Sequence, residues 1–127
     1  MYQGEAAEGD LVVATLKPKD GKGAYSVALD SSTGKERWRR RIELADENTI
    51  PRPAILGALV AYELNERLDR GMRSRVVLLD RATGQPVQEL EHPTIGKTYQ
   101  IVTYGPDWIA LSSANEIAVY GGARDAK

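Results

Sequence analysis

Catalytic chemistry in this chain would have to come from a short inventory of side chains. His92 is the only histidine, there is no cysteine, and no Gly-x-Ser-x-Gly or other nucleophile context accompanies the histidine. His92 lies at the end of an expected strand and directly precedes Pro93, without a neighbour that a general base would activate. The sequence therefore favours a surface position at a strand end for His92, and it predicts no catalytic residue.

A metal site would need clustered carboxylate or imidazole ligands, and the nearest candidate is Glu63, Glu66 and Asp69. Three arginines are interleaved with these carboxylates, which favours solvated ion pairs over a bound Ca²⁺ ion. These arginines are Arg67, Arg70 and Arg73. No glycine-rich loop followed by Lys-Ser or Lys-Thr is present to hold a phosphate. The sequence predicts no metal site and no cofactor site.

A basic run is the sharpest charged feature, and it consists of Arg37, Arg39, Arg40 and Arg41. Three of these side chains would point to one face of a strand and could contact phosphates, but charged side chains also protect exposed sheet edges from pairing. Fifty residues later the corresponding positions hold Val87, Glu89 and Glu91, so the sign of the charge reverses. This reversal argues against a continuous nucleic-acid track.

The basic run belongs to a phrase that is repeated along the chain. The phrase reads Ala-x-Asp-x-x-Thr-Gly-Lys-x-x-Trp, and its residues are Ala28, Asp30, Thr33, Gly34, Lys35 and Trp38. A partial second copy contains Asp80, Thr83 and Gly84. The preceding segments align as well, 11–16 with 59–64 and 25–30 with 75–80, and a weaker third copy covers 98–120. A period near 50 residues is typical of a fold built from repeated units.

Strand and turn chemistry explains the phrase. Asp30 is expected to accept backbone N–H groups in an Asx-type turn, and Gly34 supplies the positive φ that closes the hairpin. Trp38 then lies on a strand, on the same face as Ile42 and opposite the odd-numbered arginines, where its ring can pack against the next unit. Gln88 stands at the tryptophan position of the second copy, so that contact should be weaker or differently made.

Each copy is expected to form a meander of short strands, because apolar, β-branched runs alternate with Gly, Pro, Asp and Asn clusters. No stretch predicts a helix. The polar opening Met1–Asp10 predicts a poor innermost strand, and two residues inserted between Leu64 and Arg75 predict a longer loop. The expected strands are 11–16, 24–30 and 36–42, then 53–57, 58–64, 74–80 and 86–92, then 98–104, 108–112 and 116–120.

The repeated phrase resembles the tryptophan-docking motif of the PQQ-like (quinoprotein-type, BamB-like) β-propeller repeat. The resemblance implies an all-β chain of four-stranded antiparallel blades, about two and three-quarter blades in a partial ring. The expected blades are 1–46, 51–92 and 97–121, followed by a tail at 122–127. A propeller closes with roughly four to eight blades, so we expect either part of a larger propeller or a ring completed by self-association.

Composition indicates which partners and which cellular compartment to expect. A net charge of −1 gives no bulk attraction to nucleic acid or to an anionic membrane, and no run is long enough to span a bilayer. The amino terminus shows no signal-peptide pattern, whereas the resemblance implies an extracytoplasmic location. The absence of cysteine leaves the compartment open.

The resemblance implies a non-catalytic scaffold or protein-interaction module, which meets a protein partner or a second copy through its blade faces. Binding is expected in loops, and the candidates are 65–74, 17–23, 46–52 and 93–97. The alternative is a fragment of a PQQ-dependent quinoprotein dehydrogenase, which would use PQQ and Ca²⁺ held by an eight-bladed ring. Trp108 could then serve as a stacking platform, although its position after Gly-Pro-Asp favours packing between blades.

Overall fold

The computed structural model describes residues 2–19, 23–46, 48–91, 100–105, 108–113 and 116–121, and forms three antiparallel sheets. The strands of the first sheet are β1 (Tyr2–Glu8), β2 (Leu11–Leu16), β3 (Ala24–Asp30) and β4 (Glu36–Ile42). Those of the second are β5 (Arg52–Leu56), β6 (Leu59–Leu68), β7 (Gly71–Asp80) and β8 (Pro86–Glu91). The third contains β9 (Gln100–Tyr104), β10 (Trp108–Ser112) and β11 (Ile117–Gly121).

Every sheet is a simple meander, in which each strand pairs with the next along the chain. Two consecutive four-stranded meanders and a three-stranded one confirm the predicted all-β class. His92, the segment 93–97 and the tail 122–127 lie outside the described residues.

The prediction of a poor innermost strand in the first unit was wrong. β1 pairs with β2 from Tyr2 to Glu8, although its sequence is polar. Backbone hydrogen bonds to the apolar strand β2 hold β1 in the sheet. Two side chains add to this, since Ala6 packs on the core and Glu8 forms an ion pair with Arg81 at 2.5 Å. Hydrophobic patterning misses a strand of this kind because the pattern reports burial rather than pairing.

The inserted residues of the second unit do not form the predicted loop. β6 and β7 continue their pairing to Leu68 and Gly71, and only Asp69 and Arg70 form the turn. The insertion therefore lengthens the β6–β7 hairpin beyond its counterpart in the first sheet. Hydrogen bonds between β6 and β7 satisfy the backbone N–H and C=O groups of the added residues.

Antiparallel order places the connections of each sheet at the two ends of its strands. We call one end the turn rim, because it holds the β3–β4 and β7–β8 turns. The opposite end, the linker rim, holds the β6–β7 turn and the segment 43–51, which links the first sheet to the second.

The apolar core lies in layers between neighbouring sheets. The first layer joins the first and second sheets, and its largest fully buried side chain is that of Tyr62. The second layer joins the second and third sheets and includes Leu90, Ile109 and Leu111. In each layer, alternate residues of a strand supply the buried side chains, as the pleat requires.

The odd-numbered arginines of β4 have acidic partners in the first sheet and its linker. Arg37 lies 2.9 Å from Asp10, Arg39 2.8 Å from Glu36, and Arg41 2.9 Å from Glu43. These exposed pairs neutralise the basic run locally, which fits a protected sheet edge better than a phosphate track. Across the described parts of the chain, no helix is long and apolar enough to cross a membrane.

Candidate functional site

The two Asp-x-x-Thr-Gly turns at the turn rim share one hydrogen-bond pattern. Asp30 Oδ1 accepts the backbone N–H groups of residues 32 and 33, and Asp80 Oδ1 accepts those of residues 82 and 83. Thr33 and Thr83 each accept the N–H two residues on, at 3.2 Å, so Lys35 enters the motif through its backbone. The glycines have φ of 74° at Gly34 and 76° at Gly84. Local hydrogen bonding alone accounts for both turns.

The first turn also carries a strongly stabilised carboxylate. Hydrogen bonds from the Ser32 side chain, from Arg37 and from backbone N–H groups hold the pKa of Asp30 well below its ordinary value. Asp30 is therefore ionised throughout the physiological range. Its role in the described geometry is to close the turn rather than to move a proton.

Trp38 bridges the first and second sheets at the turn rim. It pairs with Ala28 across the first sheet, and its indole N–H donates to the carbonyl oxygen of Arg81 at 2.8 Å. Its ring lies directly against Gly84, and Arg40 Nε donates to the Gly84 carbonyl at 2.8 Å. The Trp38 side chain is buried, whereas Gln88, at the equivalent position of the second sheet, is exposed.

We expect Gly84→Ala to be more destabilising than Gly34→Ala, although both backbones have the same positive φ. A methyl group at Gly84 would lie 2.5 Å from a Trp38 ring atom, whereas one at Gly34 would meet nothing within 4 Å. The backbone conformation should cost each variant about 1 to 2 kcal/mol, and overpacking should add about 1 to 3 kcal/mol at Gly84 alone. Urea denaturation followed by circular dichroism measures both changes, and equal losses would contradict the contact between Trp38 and Gly84.

A buried ionic cluster lies at the linker rim, where the β6–β7 hairpin meets the segment 43–51. Glu66 is fully buried and accepts hydrogen bonds from Arg75 Nε at 2.7 Å and from Arg73 at 3.0 Å. The second Glu66 oxygen accepts the backbone N–H of Ala45, and Arg75 donates to the Glu43 carbonyl. We call this arrangement the linker clamp, because it ties the segment between two sheets to the hairpin.

The environment of Glu66 sets its charge state. Burial alone would raise its pKa, but the hydrogen bonds from Arg75, Ala45 and Arg73 outweigh burial and lower the pKa below its ordinary value. The prediction of solvated ion pairs was therefore wrong for Glu66, which is buried and paired. A buried carboxylate of this kind requires paired charges and satisfied hydrogen bonds.

A groove of about 520 Å³ opens beside the linker clamp. It brings together two of the predicted binding loops, 46–52 and 65–74, and its far wall includes Gln100 of β9. A second groove of about 680 Å³ shares Asp46, Asn48 and Arg67 with the first. The two openings together form what we call the linker groove.

The lining of the linker groove is polar and of mixed charge. Arg52 and Arg67 lie there with Asp46 and Glu63, and the backbone N–H of Arg67 donates to Asp46 at 3.2 Å. Within the described ranges, no group of three or more His, Asp or Glu side chains is arranged to hold a metal ion. The groove offers hydrogen bonds and complementary charges, which suit a polypeptide segment.

The remaining predicted loops contribute less. Lys17, at the start of 17–23, donates to the Thr49 carbonyl at 3.3 Å, while residues 20–22 lie outside the described residues. Trp108 lies over Gly105 in its own hairpin and is 38% exposed. This contact lies within the third sheet and does not join two sheets.

Sequence reasoning missed the linker clamp, although the alternation in β6 carried a signal. Tyr62, Leu64 and Glu66 point to the same side of the strand, and all three are buried. An inward carboxylate that continues an apolar face predicts a buried ion pair. The expectation of a loop at residue 65 ended this alternation too early.

Comparison with known proteins supports the architecture. No family model and no curated protein matches the chain. Among solved structures, the chain is similar to BamB from Moraxella catarrhalis, with a TM-score of 0.58 and 18% identity over 93% of its length. The match covers 33% of that BamB chain, so this chain spans about a third of the length of the protein it resembles. The likeness shows a β-propeller fold, and the three sheets are blades of a partial propeller.

Proposed function

We propose that this chain is a non-catalytic scaffold of the PQQ-like β-propeller class, which binds a protein segment in the linker groove. The observation that carries the proposal is the linker clamp, which fixes the wall of a groove with both signs of charge. A rigid wall lowers the entropic cost of ordering the binding surface. The resemblance to the PQQ-like repeat also favours an extracytoplasmic location for this interaction.

Site-specific crosslinking in cells of the source organism tests the groove. A photoreactive residue at Asn65, in the groove, is expected to capture a partner protein, whereas one at Val87, on β8, is not. Arg67→Glu should reduce this capture at least tenfold, because Arg67 lines both openings. Arg70→Glu is the matched control, since Arg70 lies in the turn of the same hairpin and does not line the groove. Equal capture by the two charge variants would contradict the proposal.

The alternative is part of a PQQ-dependent quinoprotein dehydrogenase. It is supported by the resemblance of the repeats. Titration with PQQ and Ca²⁺ separates the two functions. Saturable quinone binding with turnover would overturn the scaffold proposal, whereas a folded chain that binds no quinone is the result that the scaffold proposal expects.

A further inference from the structure

The third sheet presents an exposed apolar face. Trp108, Val119 and Ile117 are 38%, 65% and 68% exposed. Val119 pairs with Ala110, and Ile117 pairs with Ser112, so the three side chains share one side of the sheet. The other side carries Ile109 and Leu111, which pack against the second sheet. We call the exposed side the free face of the third sheet.

The internal repeat shows what such a face normally contacts. Trp108 and Val119 align with Leu11 and Ala28 of the first sheet, and both of these residues are fully buried. They belong to the apolar layer between the first and second sheets. The free face of the third sheet is thus the equivalent of a surface that packs against the following sheet elsewhere in the molecule.

The first sheet carries the complementary type of surface on its far side. The residues of the second sheet that pack on the first include Val60, Leu64 and Leu79. Their equivalents in the first sheet are Val12, Leu16 and Leu29, which are partly exposed, whereas Ala14 and Val27 on the same side are buried. We call this side the free face of the first sheet. The chain therefore displays at its two ends the two surfaces that meet at each internal junction.

The sizes of facing residues also match across such a junction. Inside the chain, Ser26 meets the large Tyr62, with 2.5 Å between their hydroxyl oxygens. The equivalents at the free faces are Ile117, in place of Ser26, and Ala14, in place of Tyr62. A small residue facing a large one is thus replaced by a large residue facing a small one, which conserves volume in the packed layer.

We propose that two copies of this chain associate head to tail, with the free face of the third sheet of each copy packed on the free face of the first sheet of the other. Two such contacts close a ring of six sheets, within the range of four to eight blades that propellers use. The ring would present two linker grooves, and the binding of protein segments in both of them rests on the proposed scaffold function.

Mass measurement by light scattering after size exclusion tests the association. The wild-type chain is expected at about twice its 13.9 kDa, and Val119→Asp should halve this mass while far-UV circular dichroism stays unchanged. Val87→Asp is the matched control, because Val87 is 50% exposed and belongs to neither free face. A folded wild-type monomer, an open polymer, or a dimer that survives Val119→Asp would overturn the proposal.

Thiol crosslinking tests the orientation, since the chain has no cysteine of its own. Facing sheets pack about 10 Å apart, which is too far for a direct disulfide, so a short bismaleimide is the bridging reagent. A mixture of Ala14→Cys and Ile117→Cys chains should form a mixed covalent dimer with this reagent, and neither variant should do so alone. Faster crosslinking between two Ile117→Cys chains would overturn the head-to-tail arrangement. If the chain stays monomeric but a photoreactive residue at Asn65 still captures a partner, the ring proposal fails and the scaffold function stands. The two proposals therefore fail separately.

Discussion

Replacing Trp38 with alanine is expected to lower the free energy of unfolding by about 3 to 5 kcal/mol. The ring is 8% exposed and belongs to the apolar layer between the first two sheets. The variant would create a cavity beside Gly84 and leave the Arg81 carbonyl without its indole donor. Both losses weaken the junction between sheets rather than either sheet alone.

Urea denaturation followed by far-UV circular dichroism measures the effect without relying on tryptophan fluorescence. Gln88→Ala is the matched control, because Gln88 stands at the position of the second sheet that is equivalent to Trp38 and is exposed; its effect should be below about 0.5 kcal/mol. Trp38→Phe should lie between alanine and the wild type, since it keeps an aromatic ring and removes the indole hydrogen bond. Similar losses for the two alanine variants would contradict a special role for Trp38.

Replacing Glu66 with glutamine is expected to cost about 3 to 5 kcal/mol at neutral pH, because it leaves buried arginine charge without its partner. Arg75 is 8% exposed and would keep its ion pair with Glu89, at 2.8 Å, and its hydrogen bond to the Glu43 carbonyl, but would lose the charge that offsets it inside the fold. Asp69→Asn removes one charge from the exposed turn of the same hairpin and should change stability by less than about 0.5 kcal/mol. Equal effects of the two substitutions would contradict the linker clamp.

The pH dependence of the same pair of proteins gives a second, independent measurement. The pKa of Glu66 is lowered in the folded chain relative to its ordinary value of 4.5. Its ionised form therefore stabilises the fold above about pH 4.5, and this contribution is lost as the pH falls through the folded-state pKa. The stability advantage of the wild type over Glu66→Gln should therefore be constant above about pH 4.5 and should shrink as the pH falls below it; a difference that stays constant on acidification would contradict an ionised Glu66.

Disruption of the linker clamp should also affect the proposed binding activity. Ala45 and Glu43 belong to the linker, and their backbone groups are held by Glu66 and Arg75. A loosened linker would change the wall of the groove without altering Arg67 or Asn65. Loss of partner capture in a still-folded Glu66→Gln chain is thus the expected functional consequence.

The turns illustrate how much of this fold is encoded locally. Asp30 and Thr33 bond to backbone groups within three residues of themselves, and the same geometry recurs at Asp80. Such contacts depend only on residue types at short spacing, so they are predictable without knowledge of the fold. The period of the repeat then indicates how many sheets to expect, and the alternation around Trp38 indicates which side of its strand is buried.

Other features depend on segments that are distant in the chain. β1 forms a strand because the backbone of β2 is available for pairing. The apolar and polar residues of β1 itself give little indication of a strand. Glu66 is buried because residues 43–45, more than twenty positions earlier, cover the hairpin. The linker groove likewise combines the linker, the hairpin and β9.

By itself, the sequence determined the repeated unit, the turn chemistry and the inward position of Trp38, since short-range hydrogen bonding and strand alternation act within a few residues. Only the tertiary structure decided the extent of the β6–β7 hairpin, the burial of Glu66 and the position of the groove. Burial is a property of what covers a residue, and the covering segments here come from other sheets.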